Sequence, residues 1–268
     1  MLIDSFEYLR SLNKYKKING LLADIKFENN DVGPLNEVGS VNKFGISIPK
    51  CGTTAVQRGF ERIGHQVIHA HNNPTTYEAF VNGNLLKDAG ISLETLVRFR
   101  RRLSTEPIHF FFGYREPISW YLSLAGHFGM PMTEDLRTDI LCRLHNGHPW
   151  NKYRLADARK VVERASGLDL FAKSFDKRAG YTVLRNGNID VILYRFDRLK
   201  ELESYIKRHI DDRFEMKMER VNSDENYVDF VRKLLPAEIL QVLYSDPIFS
   251  YFYDQIDAAL LLSRYVSS

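Results

Sequence analysis

The stretch Phe44-Gly-Ile-Ser-Ile-Pro-Lys-Cys-Gly-Thr-Thr-Ala-Val-Gln-Arg-Gly-Phe60 changes its apolar period halfway along. Phe44, Ile46 and Ile48 alternate as in a strand, whereas Ala55, Val56, Phe60 and Ile63 recur at helical spacing. The turn Pro49–Thr54 therefore sits at the C-terminal end of a strand and opens a helix, which is where open α/β sheets take ligands. The backbone amides of Gly52, Thr53 and Thr54 are expected to point out of the helix start, with Gly52 allowing close backbone approach and Lys50 adding a positive charge. Such a turn suits a phosphoryl or sulfuryl group. A turn that merely caps the helix is the bland alternative for so short a motif.

Spacing decides which anion. A Walker A loop places its lysine after the second glycine, but here Lys50 precedes Gly52 and the next basic residue is Arg58. The order Pro49-Lys50-Cys51-Gly52-Thr53-Thr54 instead resembles the 5′-phosphosulfate loop of sulfotransferases that use 3′-phosphoadenosine 5′-phosphosulfate (PAPS).

Composition sets wide limits. The chain has 268 residues, 44% hydrophobic and 26% charged, as expected of a globular protein with a sizeable core. A formal charge of +3 and an isoelectric point near 8.7 argue against a dedicated nucleic-acid binder, yet allow a locally basic site for an anionic ligand. Cys51 and Cys142 are the two cysteines. Both are expected to be free thiols, with no Cys/His zinc spacing, which suits a reducing, cytoplasmic setting. No secretory leader pattern and no run of about eighteen apolar residues is present, so no transmembrane segment is expected.

Further along, Gly64 is a plausible helix cap and His65–His71 reads as a second strand, which completes a βαβ unit. Asn72-Asn-Pro-Thr-Thr76 breaks it, and helical patterns follow around Tyr77–Leu86 and Leu93–Leu103. Arg98, Arg100, Arg101 and Arg102 read mainly as a solvated helix face. Ile108-His-Phe-Phe-Phe-Gly-Tyr114 is a continuous apolar run of strand length, predicted to lie beside the first strand and to be buried on both faces. It delivers Arg115-Glu-Pro-Ile-Ser-Trp-Tyr-Leu-Ser123, with Pro117 suited to the first turn of a helix. A guanidinium at a strand end and a hydroxyl two helical turns on can converge on one phosphate. The eight-residue interval from Arg115 to Ser123 resembles the sulfotransferase pattern that holds the 3′-phosphate of PAPS. Glu116 stands where Asp or Asn is commoner.

Residues 134–166 read as helical, interrupted at Asn146-Gly-His-Pro149. The blocks Trp150-Asn-Lys-Tyr153, Gly167-Leu-Asp-Leu170, Phe175-Asp-Lys-Arg-Ala-Gly-Tyr181, Asn186-Gly-Asn-Ile-Asp190 and Leu193-Tyr-Arg-Phe-Asp-Arg-Leu199 then follow in order. They resemble a sulfotransferase-like family named for capsular polysaccharide synthesis. Asn186-Gly signals a hairpin between Tyr181–Arg185 and Ile189–Phe196. The last seventy residues read as helices with starts near Pro236 and Pro247, and Phe249, Tyr251, Phe252 and Tyr253 read as core. The fold expected is a single α/β domain over 1–268: a three-layer sandwich on a mainly parallel sheet with a P-loop-like strand-turn-helix of sulfotransferase type. Its core spans about 44–200, with a docking helix at 1–17 and helices over about 200–265.

The resemblance implies transfer of a sulfuryl group from PAPS to an acceptor hydroxyl, with a carbohydrate or polysaccharide as the acceptor class and no metal. Lys50, Cys51, Gly52, Thr53, Thr54, Arg115 and Ser123 would bind the nucleotide, and Lys50 would also act in catalysis. It further implies a His or Glu base from the region after the first helix. His71 at the strand end is preferred over His69, with Glu94 or His127 behind them. Cys51 offers a competing chemistry, since a thiol at a helix start beside a lysine is expected to have a depressed pKa. Arg58 is, however, one position off a phosphatase loop. A non-catalytic nucleotide-binding protein is the alternative function, and a phosphotransferase a weaker one.

Overall fold

A computed structural model describes residues 41–48, 50–71, 93–127, 150–217 and 237–265. The chain divides into two compact units, Met1–Glu37 and Val38–Ser268, and every described residue belongs to the second. The expected docking helix at 1–17, the loop before residue 41, the break at 72–76, the helix around 77–86, the helix before 150 with its interruption, Pro236 and Cys142 lie outside the described residues.

Five strands form one sheet in the order β2-β1-β3-β5-β4. They are β1 (Lys43–Ser47), β2 (Ile68–His71), β3 (Ile108–Tyr114), β4 (Tyr181–Asn186) and β5 (Ile189–Arg195). The pairs β1·β2, β1·β3 and β3·β5 are parallel, and β4 closes the edge antiparallel to β5. All seven residues of β3 are buried, as expected of a central strand in a sheet covered on both sides. The chain leaves β1 toward β2 on one side and returns to β3 on the other. The order therefore reverses between β1 and β3, and the crevice at their C-terminal ends is the topological switch point where such sheets bind ligands.

Alternation along the strands sorts the side chains into two cores. On one face Phe111, Ile192 and Tyr194 pack under α1 (Thr53–Arg62), through Val56 and Phe60, and α5 (Leu199–His209), through Leu202 and Ile206. On the other, Phe44, Phe110, Phe112, Val191 and Leu193 pack under α2 (Leu93–Leu103), α3 (Pro117–His127) and α4 (Trp150–Ser166), together with α6 (Ala237–Tyr244), α7 (Pro247–Phe252) and α8 (Gln255–Tyr265). Helices thus cover both faces of a mixed, mostly parallel sheet.

Local chemistry fixes the element ends. At the end of α1, Gly64 N–H donates to Glu61 O and His65 N–H to Phe60 O, so Gly64 closes the helix. The second strand is shorter than its sequence period: His65 is drawn out of it by a 2.8 Å contact between Nε2 and Asp211 Oδ2. The hairpin also shifts by one residue. Asn186 is the last residue of β4, Gly187 and Asn188 make the turn, and Asn186 Nδ2 donates to Ser166 O at 2.8 Å, satisfying the end of α4. Pro247 begins α7 with Asp246 as its cap, accepting from Ile248 N. Phe249, Phe252 and Tyr253 are buried, as their pattern predicts.

Two polar ties bind the C-terminal helices to the sheet's C-terminal edge. Glu116, buried at the β3–α3 junction, accepts from the amides of Ile118 and Ser119 and from the hydroxyls of Tyr244 and Tyr265. Its extra methylene over Asp gives this cap the reach for both tyrosines. Arg195, 1% exposed at the end of β5, donates to both oxygens of Asp197 and to Asp257 Oδ2, and its guanidinium lies 3.9 Å from the Tyr253 ring centre. Breaking such a buried network by removing one ion is strongly destabilising, so Arg195 in the Leu193–Leu199 block has a structural role.

A second polar row crosses the opposite edge of the sheet, where Lys43, His109, Asp190 and Arg185 are register neighbours. Lys43 Nζ donates to Asn42 Oδ1 and lies 3.3 Å from His65 Nδ1. His109 is buried with no hydrogen bond to Nδ1, and that atom is 3.8 Å from Asp190. Burial, and then the Lys43 charge, push its pKa from 6.5 down to about 4. Between those values the unfolded chain binds more protons than the folded one, so the stability contributed by neutral His109 is present above pH 6.5 and is lost as pH falls toward 4. The full effect is about 3 kcal/mol. Asp190, whose pKa burial raises, offsets part of the loss at the acid end. Urea unfolding at pH 7 and at pH 4.5 should show wild type losing more stability than His109→Gln; equal losses would contradict this assignment.

Candidate anion site

The loop between β1 and α1 is held in an unusual backbone shape. Lys50 has φ 66 and Gly52 φ 86, both in the left-handed region. For Lys50 this costs about 1 kcal/mol, and it turns the loop tightly over the end of β1. Gly52 is the residue before the helix and no side chain caps it; Ala55 and Val56 amides both donate to Gly52 O. The amides of Thr53 and Thr54, ahead of these, have no partner within the helix. A Cβ on Gly52 would lie 3.0 Å from Leu199 Cδ1 and 3.2 Å from Phe196 Cδ2. The start of α5 therefore walls this loop. Gly113 in β3 serves the loop from below, where a Cβ would lie 2.7 Å from Cys51 O and 2.7 Å from the Tyr194 hydroxyl.

Arg115 leaves the end of β3 and meets the same loop. Its Nη1 donates to Lys50 O at 3.2 Å and its Nε to Ser119 Oγ at 3.0 Å. Its guanidinium lies 4.1 Å from the centre of the Phe196 ring. The residue is 7% exposed, and among the described residues no carboxylate lies within ion-pair distance of it. Glu116, next in the chain, acts on it through space while its own oxygens are taken by two amides and two tyrosines. Burial lowers the Arg115 pKa. Lys50 is also lowered, by burial first and the Arg115 charge second. Two cations thus share one partly dehydrated corner with no carboxylate in contact with either among the described residues, an arrangement that a bound anion would relieve. The donor set fits a phosphorylated or sulfated group.

The histidines divide. His69, opposite Gly45 in the β1–β2 register, places Nε2 2.8 Å from Thr53 Oγ1, which also receives a 3.4 Å contact from Ser47 Oγ. Thr53 is 1% exposed, so its hydroxyl faces the sheet, whereas Thr54 is exposed at the helix start. His71 lies opposite Ser47 at the sheet's C-terminal edge; its side chain is outside the description. Glu94 pairs with Arg98 along α2. His127 is the last residue of α3, and nothing is described of its side chain. Of the arginine cluster, Arg98, Arg101 and Arg102 are exposed and Arg100 reaches Glu106 at 2.6 Å.

The structure therefore brings Lys50, Gly52 and Arg115 together, and places Ser123 on α3 one turn past Ser119. The hydroxyl hydrogen-bonded to Arg115 is that of Ser119. Sequence reading missed Ser119 and Phe196. For Ser119 the signal was its position four residues after Arg115, close to the start of a helix; for Phe196 it lay in the assigned but uninterpreted Leu193–Leu199 block.

Cys51 corrects an expectation. Its thiol is wholly buried, and desolvation pushes its pKa up to about 12 despite the nearby Arg115 charge. The helix start and Lys50 do not activate it, because the residue faces the interior and not the loop's outer surface. No helix among the described residues is long and apolar enough to cross a membrane. No family model, curated protein or solved structure matches the chain.

Iodoacetamide at pH 8 should leave Cys51 unmodified in the native protein and label it in urea, as read by peptide mass mapping. Labelling of Cys51 in the native state at the rate of an exposed thiol would contradict its burial.

Proposed function

We propose that the protein is a PAPS-dependent sulfotransferase acting on a hydroxyl acceptor, with a carbohydrate as the favoured class. The observation that carries this reading is the 3.2 Å bond from Arg115 Nη1 to the backbone carbonyl of Lys50, which ties the cation at the end of β3 to the loop after β1 that carries a second cation, 65 residues away in sequence, at the sheet's switch point. A donor phosphorylated at two separated positions matches two such groups, and the order Pro-Lys-Cys-Gly-Thr-Thr supports a phosphosulfate end at the first of them.

In this reading Lys50 and the first-turn amides of α1 bind the 5′ end, and Arg115 binds the 3′-phosphate with Ser119 orienting its guanidinium and Ser123 further along the same helix. PAPS supplies the activated sulfuryl group together with its phosphate leaving group. Lys50 stabilises negative charge that grows on the leaving side, where preorganised donors in a dehydrated site act most strongly. Because His69 Nε2 is engaged by Thr53, we assign the general base to His71, which accepts the proton from the acceptor hydroxyl. A nucleotide-binding protein without turnover would share every one of these cationic contacts, and transfer activity separates the two.

Wild-type protein incubated with radiolabelled PAPS and a panel of sugars, glycolipids and simple alcohols should yield a sulfated acceptor. Lys50→Ala should lower turnover by roughly 100-fold or more. PAPS-dependent transfer unchanged in Lys50→Ala would overturn the assignment. So would the absence of any thermal stabilisation by 3′-phosphoadenosine 5′-phosphate (PAP) beyond that given by ATP with magnesium.

A further inference from the structure

Phe196 stands in the block Leu193–Leu199 as a partly exposed aromatic residue in the short turn between β5 and α5. It touches both halves of the proposed site. Its ring lies under the Arg115 guanidinium at 4.1 Å, and its Cδ2 is one of the atoms that leave no room for a side chain on Gly52. Leu199 packs on the same glycine and anchors the start of α5 in the core under α1. The ring is thus a fixed plate between the loop after β1 and the cation after β3.

We propose that Phe196 is a positioning residue that sets the plane of the Arg115 guanidinium and so gives the site its preference for a nucleotide with a 3′-phosphate. This rests on the reading of Arg115 as the 3′-phosphate group. A guanidinium has five donors in one plane. Nε and Nη1 are used by Ser119 and Lys50 O, and Nη2 makes no hydrogen bond to a described residue. These two bonds leave from opposite sides of the group and fix its position, but hydrogen bonds bend easily and restrain its tilt only weakly. The flat face of Phe196 removes the tilt and adds a cation–π attraction, strengthened because the cation is 7% exposed. Nη2 is then held in plane for a ligand oxygen. A lysine at 115 would gain little from the plate, because an ammonium has no plane to orient.

The test compares PAP with AMP, which lacks the 3′-phosphate, by calorimetry on the full chain, with thermal melting of each variant as the check on folding. Wild type should prefer PAP. Phe196→Leu, which keeps bulk but has no ring, should reduce that preference roughly tenfold while leaving AMP affinity within about threefold. Phe196→Tyr should retain the wild-type preference. In an Arg115→Lys background, Phe196→Leu should cause no further loss. The proposal is overturned if Phe196→Leu keeps the wild-type preference, if it weakens PAP and AMP equally, or if its loss adds in full to that of Arg115→Lys. A wild type that prefers PAP while Phe196→Leu does likewise removes Phe196 alone. A wild type with no preference for PAP overturns the 3′-phosphate role of Arg115 and this inference with it.

Discussion

Arg115 carries a full charge into a place that water barely reaches, and its partners are a carbonyl, a hydroxyl and an aromatic face, none of them negative. Everything around it keeps this arrangement in place. The fully buried β3 run fixes where the arginine emerges. Lys50 adopts a left-handed backbone in the loop whose carbonyl receives Nη1. Glu116, the one acid next in sequence, is held by four donors and so is withheld from a contact ion pair. A desolvated cation with no carboxylate in contact among the described residues is unfavourable in isolation, and a bound anion would offset that cost.

That constraint also explains why the C-terminal helices pack where they do. Tyr244 in α6 and Tyr265 in α8 bind Glu116, and Asp257 in α8 binds Arg195 at the end of the neighbouring strand. The same sheet edge that presents the cations on one side is tied on the other to helices that carry no recognisable motif. The C-terminal helices thus supply two of the four donors that hold the carboxylate next to Arg115.

Much of the fold was legible because its signals are local. The period change at Pro49, the seven-residue apolar run at 108–114, the glycine after α1, Pro117, Pro247 and the Asn186-Gly pair each act through neighbours in sequence, and each marks an element end within a residue or so. The second strand was read too long because nothing local reveals that Asp211, 146 residues away, takes His65. The site was legible as residue types and not as contacts. Lys50 and Arg115 stood out by motif and spacing. That Arg115 would choose Ser119, that Thr53 would turn its hydroxyl to His69, and that Cys51 would be sealed from the loop depend on how α1 and α5 settle on the sheet. Phe196 was hidden for the same reason: its contacts, Arg115 and Gly52, are distant in sequence.

The central claim is that the loops after β1 and β3 form one nucleotide site with two separate phosphate contacts. A crystal structure of the full chain with PAP tests it directly. The account predicts the 5′-phosphate over the first turn of α1 beside Lys50 and the 3′-phosphate within hydrogen-bond distance of Arg115 Nη2. PAP bound elsewhere, or bound with Arg115 still facing no phosphate, would contradict it.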